Sequence, residues 1–298
     1  MKEADFGDCL SAKKTSSPGW REGATCGKTL GIPTWRDGSA VPLSLMLTPP
    51  LLPEKSPLFG LCVCYPSPGI IERIGPDWDW IWIDGQHGEI GPSEILALVR
   101  ACDLIRRPAL VRVPGHDYGA IGCALDTGAA GVIVPCVDTE EQARALVFAA
   151  KFPPLGGRSY GSRRSIDLYG RLYAEKANAE SLLVVQIETP LAIANVEAIA
   201  AVPGVDALFL GPDDMMLRRS LAMNTPRTAA ILGDDFRAVA AACKRQGKKA
   251  VAIGATAEMA TLAVKLGFHL VVGGTDVGFL ATGSTTAAAE LRRNHSPC

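Results

Sequence analysis

Two carboxylates stand at the ends of apolar runs, where a charged side chain is costly unless a partner compensates it. Glu188 closes the run Leu-Leu-Val-Val-Gln-Ile-Glu, and Asp214 ends the run Ala-Leu-Phe-Leu-Gly-Pro-Asp-Asp. Carboxylate oxygens suit hard divalent ions such as Mg²⁺ or Mn²⁺, which keep several waters and accept substrate oxygens. We interpret the pair as a candidate metal site. The alternative is that each carboxylate is a salt-bridge partner or a helix N-cap.

Three further polar residues follow apolar runs. Asp84 and His87 are three residues apart and can reach one another through a turn. A carboxylate that orients an imidazole makes a general base near neutral pH. Arg112 ends the run Ala-Leu-Val-Arg, where it could form a structural salt bridge or hold an anionic oxygen and stabilise a developing enolate. His116, in a loop beside Asp117, is a lesser candidate.

No lysine of the regular part of the chain stands where imine chemistry would need it. A Schiff-base aldolase uses a lysine on a strand that faces the rim of a barrel. Lys248 and Lys249 precede an apolar run and so belong to its opposite end, while the other lysines fall in helical or loop segments. We therefore expect a metal, not an imine, to carry the chemistry.

The elements that position these residues alternate regularly from Leu58 onward. Short apolar runs rich in β-branched residues are separated by longer segments of helical period. The predicted strands are Phe59–Cys64, Trp80–Asp84, Ala109–Val113, Gly131–Pro135, Leu182–Glu188, Ala207–Gly211, Ala250–Ile253 and Leu270–Val272. The predicted helices include Pro92–Ile105, Thr139–Lys151, Pro190–Ala201, Asp235–Gln246, Ala257–Leu266 and Ala287–Arg293. Asp138 and Glu141 resemble a capping box.

This alternation predicts an α/β fold. Near-continuous apolar strands separated by helices indicate a parallel sheet covered on both faces. Eight such units match a closed (β/α)₈ TIM barrel in length and number. A doubly wound sheet is the alternative, but it usually has fewer strands, and no G-x-G-x-x-G turn follows the first strand. In a barrel, the polar residues at the strand ends gather at one rim.

Residues 1–57 differ from the rest. They are rich in Ser, Thr, Gly and Pro and show no sustained period, so we expect a poorly ordered N-terminal extension before a barrel domain at residues 58–298. The segment lacks the apolar run of a signal peptide, and no long uncharged apolar stretch follows. We expect a cytoplasmic protein without a membrane partner.

Charge and cysteine placement exclude other classes. The 30 basic and 31 acidic residues nearly cancel, giving a formal net charge of -1, so no basic surface for nucleic acid is indicated. Of the nine cysteines, six lie inside apolar stretches, and none forms a Cys-x-x-Cys pair. The six are interpreted as small buried hydrophobic residues, and a zinc ribbon is not indicated.

Several motifs, in order, resemble the HpcH/HpaI aldolases. They are Trp-Ile-Asp-Gly-Gln-His, Arg-Val-Pro, Asp-Thr-Gly-Ala-Ala-Gly-Val-Ile-Val-Pro, Phe-Pro-Pro-Leu-Gly-Gly-Arg-Ser-Tyr-Gly, Val-Gln-Ile-Glu-Thr and Gly-Val-Asp-Ala-Leu-Phe-Leu-Gly-Pro-Asp-Asp. The resemblance extends from about Leu58 to the end of the barrel and implies a barrel of the phosphoenolpyruvate/pyruvate type. It implies a class II aldolase that cleaves or forms 2-keto-4-hydroxy acids, and it extends to macrophomate synthase, which makes a pyruvate enolate from oxaloacetate.

By position, the resemblance also implies roles for individual residues. They are metal ligation by Glu188 and Asp214, a base dyad of His87 with Asp84, enolate contact by Arg112, and substrate contacts from Gln186, Gly211, Pro212 and Asp213, with peptide N–H groups around Asp213 and Asp214 holding the carboxylate. The implied cofactor is Mg²⁺, with Mn²⁺ or Co²⁺ as alternatives. The implied partners are a small 2-ketoacid and further copies of the chain, in a hexamer with exchanged C-terminal helices.

Three features depart from the family pattern. Gln86 stands where Glu is common, Met-Met-Leu-Arg-Arg follows Asp214, and the segment Tyr160–Tyr173 is rich in arginine together with Arg158. We interpret that segment as a lid over an acidic or polyhydroxy substrate tail, with a solvated loop as the alternative. The alternatives to an aldolase are an oxaloacetate decarboxylase or enolate-trapping synthase, a CoA-ester lyase and a non-catalytic barrel scaffold.

Overall fold

The computed structural model describes residues 57–295, so the predicted extension lies outside the described residues except for Pro57. Eight parallel strands form a closed barrel in which each strand pairs with the next and β8 pairs with β1. The (β/α)₈ prediction is confirmed, and the doubly wound sheet is wrong because the pairing of β1 with β8 leaves no sheet edge.

The strands agree with the prediction to within one residue at most ends. They are β1 Leu58–Val63, β2 Trp80–Asp84, β3 Ala109–Arg112, β4 Gly131–Val134, β5 Leu182–Ile187, β6 Ala207–Leu210, β7 Lys249–Ile253 and β8 Leu270–Thr275. The helices are α1 Pro68–Ile74, α2 Pro92–Leu104, α3 Tyr118–Asp126, α4 Glu140–Ala150, α5 Arg163–Tyr169, α6 Tyr173–Glu180, α7 Pro190–Ala194, α8 Val196–Ala201, α9 Pro212–Arg218, α10 Ala229–Gln246, α11 Ala257–Lys265 and α12 Asp276–His295.

Two apolar clusters hold the barrel together. Alternate side chains of a strand point to opposite faces, so one set fills the barrel and the other packs under the helices. The inner cluster contains Cys62, Trp80, Trp82, Leu110, Ile133, Leu182, Val184, Ala207, Phe209, Val251, Leu270 and Val272. The larger outer cluster lies between strands and helices. The interior is therefore packed with side chains, and a substrate has access only to its ends.

Local capping differs from the prediction in two helices. The capping box of α4 is formed by Thr139 and Gln142, one residue later than predicted, because Asp138 accepts the hydroxyl of Thr189 instead. Helix α12 begins at Asp276, eleven residues before its predicted start. Gly278 and Gly283 weaken the helical pattern there, but buried Asp276 accepts the N–H of Val277 and anchors the first turn.

The described helices are short or polar. None of those between residues 57 and 295 combines the length and apolar character that crossing a membrane requires.

Candidate functional site

Asp84 and Arg112 form a buried ion pair at the C-terminal ends of β2 and β3. The parallel register places their Cα atoms opposite one another, so the contact is set by the sheet itself. Arg112 Nε donates to Asp84 Oδ1 at 2.8 Å and Nη2 donates to Oδ2 at 2.6 Å. Asp84 is 3% exposed and Arg112 is 8% exposed. This two-pronged geometry fixes the plane of the guanidinium.

The remaining face of Arg112 is directed to the centre of the rim. Its Nη1 donates to Gln186 Oε1 at 3.4 Å, and its guanidinium carbon lies 4.6 Å from the ring centroid of Trp82. Trp82 packs edge-on against Phe209 in the barrel interior. Trp82 was not predicted as a site residue, although two-residue alternation with Asp84 places it on the same inner face. The structure thus brings Asp84, Arg112 and Gln186 together as predicted for a common rim.

His87 does not form the predicted side-chain pair with Asp84. Its ring is exposed and makes no hydrogen bond within the described residues, whereas its backbone N–H donates to Asp84 Oδ1 at 3.3 Å. Gln86 N–H donates to the same oxygen at 3.1 Å. Asp84 therefore shapes the turn that carries His87 and does not orient the imidazole, because its contact with His87 is through the backbone N–H and the ring is exposed.

The pKa of the Asp84 carboxyl reflects this environment. Burial disfavours the charged form, but the hydrogen bonds and charge of Arg112 and the N–H groups of Gln86 and His87 outweigh it, so the pKa is lowered. The carboxylate is ionised whenever the fold is intact near neutral pH.

Glu188 lies on the other side of the rim in a contrasting environment. It is 2% exposed, and its Oε1 accepts the N–H of Cys136 at 2.7 Å. No Lys, Arg or His among the described residues forms a salt bridge with it. A Cβ atom at Gly211 would lie 2.5 Å from Glu188 Oε2, so the carboxylate sits where only glycine allows it.

Asp214 and Asp213 lie in the first turn of α9 and have different surroundings. Asp213 Oδ1 accepts from Arg227 Nε, whereas Asp214 forms no salt bridge with a described residue. The helix starts at Gly211 without a side-chain cap, with Pro212 in its first turn. The N–H groups of Asp213 and Asp214 consequently find no acceptor within the described part of the chain. Such free donors at a helix start favour an anion.

Cys136 connects the two carboxylates and was not predicted as a site residue. It follows β4 with a left-handed backbone (φ 55°), and its thiol is half-buried beside Glu188. Burial, the hydrogen bond with Glu188 and the charges of Glu188 and Asp214 raise the pKa of this thiol to about 11, against an opposing effect of Arg218. The pairing of Ile187 with Leu210 and the close approach of Gly211 to Glu188 place both carboxylates at the C-terminal ends of neighbouring strands.

This carboxylate site fits a hard divalent ion. Glu188 is a buried carboxylate without a cationic side chain, a state that is costly unless a counter-charge binds. Its neighbour Asp214 offers oxygen atoms that no side-chain cation occupies among the described residues. Carboxylate oxygens are the ligands that Mg²⁺ and Mn²⁺ prefer.

The departures from the family pattern have three outcomes. In the Met-Met-Leu-Arg-Arg segment, Met215 and Met216 are buried, Arg219 forms a two-pronged ion pair with Asp235, and Arg218 reaches toward Cys136 with Nη2 4.0 Å from Sγ. Of the two arginines, Arg218 is therefore the one that lies near the rim.

The amide oxygen of Gln86 is buried and has no hydrogen-bond partner among the described residues. This position of the rim is thus polar but uncharged.

The arginine-rich segment is not a lid over the site. Arg158 binds Asp126 and Arg164 binds Asp103, at the C-terminal ends of α3 and α2. Because these helices run antiparallel to the strands, their C-terminal ends lie at the opposite rim. Arg163 pairs with Asp167 within α5. These three arginines are neutralised locally, and Arg171 lies over the ring of Tyr160 within the same segment, so the lid interpretation is wrong and the segment is structural.

The lysine prediction holds for the described residues. Buried Lys151 contacts Asp206 and the carbonyls of Asn178 and Ser181, just before β5 and β6. Lys248 donates to the carbonyl of Val205 at the same end of the barrel. Of the histidines, His116 Nε2 contacts the carbonyl of Pro135, and neither His269 nor His295 reaches the site.

Comparisons with known proteins agree with this geometry. Residues 68–282 match the family model of the HpcH/HpaI aldolase/citrate lyase family. A 4-hydroxy-2-oxovalerate aldolase of Novosphingobium aromaticivorans is 44% identical over 165 residues, which are 54% of this chain and 63% of that enzyme. A 2-dehydro-3,6-dideoxy-6-sulfogluconate aldolase of Pseudomonas putida is 31% identical over 252 residues, 83% of this chain and 97% of that enzyme.

Solved structures show the same barrel. A HpcH/HpaI aldolase/citrate lyase family protein of Burkholderia cenocepacia J2315 has a TM-score of 0.72 at 29% identity, covering 80% of this chain and 95% of its own. Macrophomate synthase has a TM-score of 0.71 at 26% identity, covering 80% and 86%. The predicted class, an aldolase-type carbon–carbon lyase, agrees with the names of the relatives. The chain belongs to the HpcH/HpaI aldolase/citrate lyase family, whose model covers the barrel from α1 into α12.

Proposed function

We propose that this protein is a divalent-metal-dependent aldolase. It cleaves a 2-keto-4-hydroxy acid into pyruvate and an aldehyde, or forms the acid from them. The observation that carries the proposal is the buried carboxylate of Glu188, which has no cationic side chain within salt-bridge distance among the described residues. The names of the relatives, a 4-hydroxy-2-oxovalerate aldolase among them, support the reaction class.

Glu188 and Asp214 would hold the ion, with Mg²⁺ as the first choice and Mn²⁺ or Co²⁺ as alternatives. The ion supplies Lewis acidity to a ketoacid. The carboxylate of the substrate would be held by the free N–H groups of Asp213 and Asp214, in the turn that starts with Gly211 and Pro212.

Arg112 would contact the oxygen on which negative charge develops. Its guanidinium is fixed by Asp84 and by the ring of Trp82, so little reorganisation is needed when the charge forms. Gln186 Oε1 is turned toward Arg112 Nη1, which leaves the amide nitrogen of Gln186 as a donor for the ketoacid. Asp84 acts as a positioning residue.

His87 would take the proton of the C4 hydroxyl. Its exposed ring is free of protein partners within the described residues and is carried by the turn that Asp84 organises. As the proton leaves, the C3–C4 bond breaks, an aldehyde departs, and the electron pair remains on the pyruvate enolate beside Arg112. The reverse sequence forms the bond.

The test is pyruvate release from 4-hydroxy-2-oxovalerate by the full chain after chelation and re-addition of Mg²⁺ or Mn²⁺. We expect activity to return with the metal and to be lost in Glu188→Ala and in Asp214→Ala. The matched control is Glu89→Ala, an exposed carboxylate beside the same rim. Activity that survives both ligand substitutions would overturn the metal mechanism.

A decarboxylase is the second candidate because the fold matches macrophomate synthase. The same preparation is assayed with oxaloacetate. Faster release of CO₂ from oxaloacetate than of aldehyde from the hydroxyketoacid would replace the aldolase assignment.

A homo-oligomer with exchanged C-terminal helices remains a prediction, as does a cytoplasmic location. Helix α12 supports the first, since Phe279, Leu280 and Leu291 are exposed apolar side chains on a helix that contacts only β1 and β8 extensively in the described chain. Light scattering of the full chain measures the assembly.

A further inference from the structure

Two cysteines face one another at the C-terminal end of β1. Cys62 lies within the strand and Cys64 directly after it, so both side chains point to the inner face of the barrel. Their sulfur atoms are 3.8 Å apart. Cys62 is 3% exposed and Cys64 is half-buried, which leaves one side of the pair accessible. The pair is separate from Glu188 and Asp214, which lie beyond β5 and β6.

A carboxylate oxygen completes a third position. Among the described residues, one cluster has three potential metal-binding atoms within 4.8 Å of one another, and it consists of Cys62, Cys64 and Asp84. Asp84 Oδ2 accepts a single hydrogen bond, from Arg112 Nη2. Since a carboxylate oxygen has two lone pairs, one remains available on Oδ2.

The spacing of the sulfur atoms matches a tetrahedral thiolate site. With metal–sulfur bonds of about 2.3 Å and a tetrahedral angle, two thiolates on one Zn²⁺ ion are about 3.8 Å apart. The two sulfurs in this structure have that separation without any movement. Magnesium does not compete for such a site, because thiolates select soft ions and carboxylates select hard ones.

The site is also rigid, and its charges favour a cation. Buried Asp276 accepts the N–H groups of Cys64 at 3.0 Å and Tyr65 at 3.0 Å, which fixes the end of β1. Two thiolates and Asp84 carry three negative charges, which a divalent ion and Arg112 balance with three positive ones. The carboxylate of Asp276 adds one further negative charge beside Cys64, so the surroundings attract a cation.

We propose that Cys62, Cys64 and Asp84 form a second metal site, specific for thiophilic divalent ions such as Zn²⁺, with a water as the fourth ligand. In the occupied site the ion and Arg112 Nη2 share Oδ2 of Asp84. An oxygen that also binds a cation is a weaker acceptor, so thiophilic ions loosen the guanidinium and inhibit the enzyme. The site itself stands on the geometry of β1 and β2, and only the inhibition rests on the proposed function.

Cd²⁺ is the probe, because thiolate ligation gives an ultraviolet charge-transfer absorption that oxygen ligands do not. The full chain is titrated in excess Mg²⁺ with a phosphine reductant. We expect one Cd²⁺ per chain with thiolate absorption. Cys64→Ala should weaken binding by about 100-fold or more, since loss of even a hydrogen-bond partner of a ligand costs 10–100-fold. Cys62→Ala should do the same.

Matched controls separate this site from other thiols. Cys123→Ala removes an exposed cysteine of α3, and a Cys9→Ser/Cys26→Ser/Cys298→Ser variant removes those outside the described residues; both should keep the absorption. Glu188→Ala should keep it too, even where aldolase activity is lost, so the two proposals fail separately. Absorption that persists in Cys62→Ala and Cys64→Ala, or that disappears in the triple variant, overturns the site. Circular dichroism confirms that each variant is folded.

Discussion

Asp84 and Glu188 are both buried carboxylates on the same rim, yet their electrostatic surroundings are opposite. Asp84 is held by two hydrogen bonds from Arg112 and by two backbone N–H groups. Glu188 receives the N–H of Cys136 and has no salt-bridge partner among the described residues. The β2–β3 side of the rim is thus neutralised by the protein itself, whereas the buried carboxylate of the β5–β6 side has no such partner and is where we propose that a cation binds.

In the proposed mechanism, the two sides of the rim have different roles. Asp84, held by Arg112, is a rigid support that would keep Arg112 in place for a developing oxyanion. A buried carboxylate without a cation, such as Glu188, lowers the stability of the metal-free protein but is available to bind a metal. Stability and catalysis should therefore respond in opposite ways to substitutions on the two sides.

The largest expected effect comes from the β5–β6 side of the rim. Glu188→Gln keeps the shape but removes the charge, and kcat/KM should fall by about 10³-fold or more, because a Lewis-acid ion contributes several kcal/mol. Mg²⁺ binding should weaken as well. Pyruvate release measures kcat/KM, and calorimetric titration measures the binding of Mg²⁺. Glu89→Gln serves as the control. Full activity with unaltered Mg²⁺ binding in Glu188→Gln would remove the basis of the comparison.

Stability of the metal-free protein should show the opposite order. Asp84→Asn leaves the charge of Arg112 buried without its partner and should lower the free energy of unfolding by about 3–5 kcal/mol. Glu188→Gln should leave it unchanged or raise it, since an uncompensated charge disappears. Denaturant midpoints in a chelator measure both variants. Equal destabilisation by the two substitutions would show that the two carboxylates are not in different states.

Arg112→Lys tests the geometry of the ion pair on the β2–β3 side of the rim. Lysine keeps the charge but cannot donate two parallel hydrogen bonds to Asp84. Because the loss affects the developing oxyanion, kcat should fall by about 10²-fold with a smaller change in KM. Arg237→Lys, in an exposed pair with Asp234, is the control. A change in KM alone would mean that Arg112 binds substrate without stabilising the reaction.

The smallest expected effect is on acid stability. Burial opposes ionisation of Asp84, but Arg112 outweighs it and lowers the carboxyl pKa below the unfolded value of about 3.9. The ionised form then stabilises the fold above that value, and the contribution is lost as the pH falls through the folded pKa. As the pH falls below about 5, the free energy of unfolding should consequently decrease less in Asp84→Asn than in the parent. An equal decrease in both proteins would contradict the pairing of Asp84 with Arg112.

The alternation of apolar runs and helical segments determined the barrel and the strand ends. Because parallel strands in a barrel place their C-terminal ends at one rim, Asp84, Arg112 and Glu188 could be assigned to a common site from order along the chain alone. The position of a charge directly after an apolar strand was enough to predict that Glu188 is buried at the rim, which is confirmed, whereas metal ligation by Glu188 stays a prediction.

The pairing within the rim depended on the tertiary structure. Sequence proximity favoured Asp84 with His87, but the register of β2 and β3 places Asp84 opposite Arg112, which is 28 residues away. The contact of Cys136 with Glu188 spans 52 residues and leaves no local pattern. Which charges neutralise each other is decided by register and curvature of the closed sheet, because these bring together side chains whose separation along the chain carries no information about their distance in space.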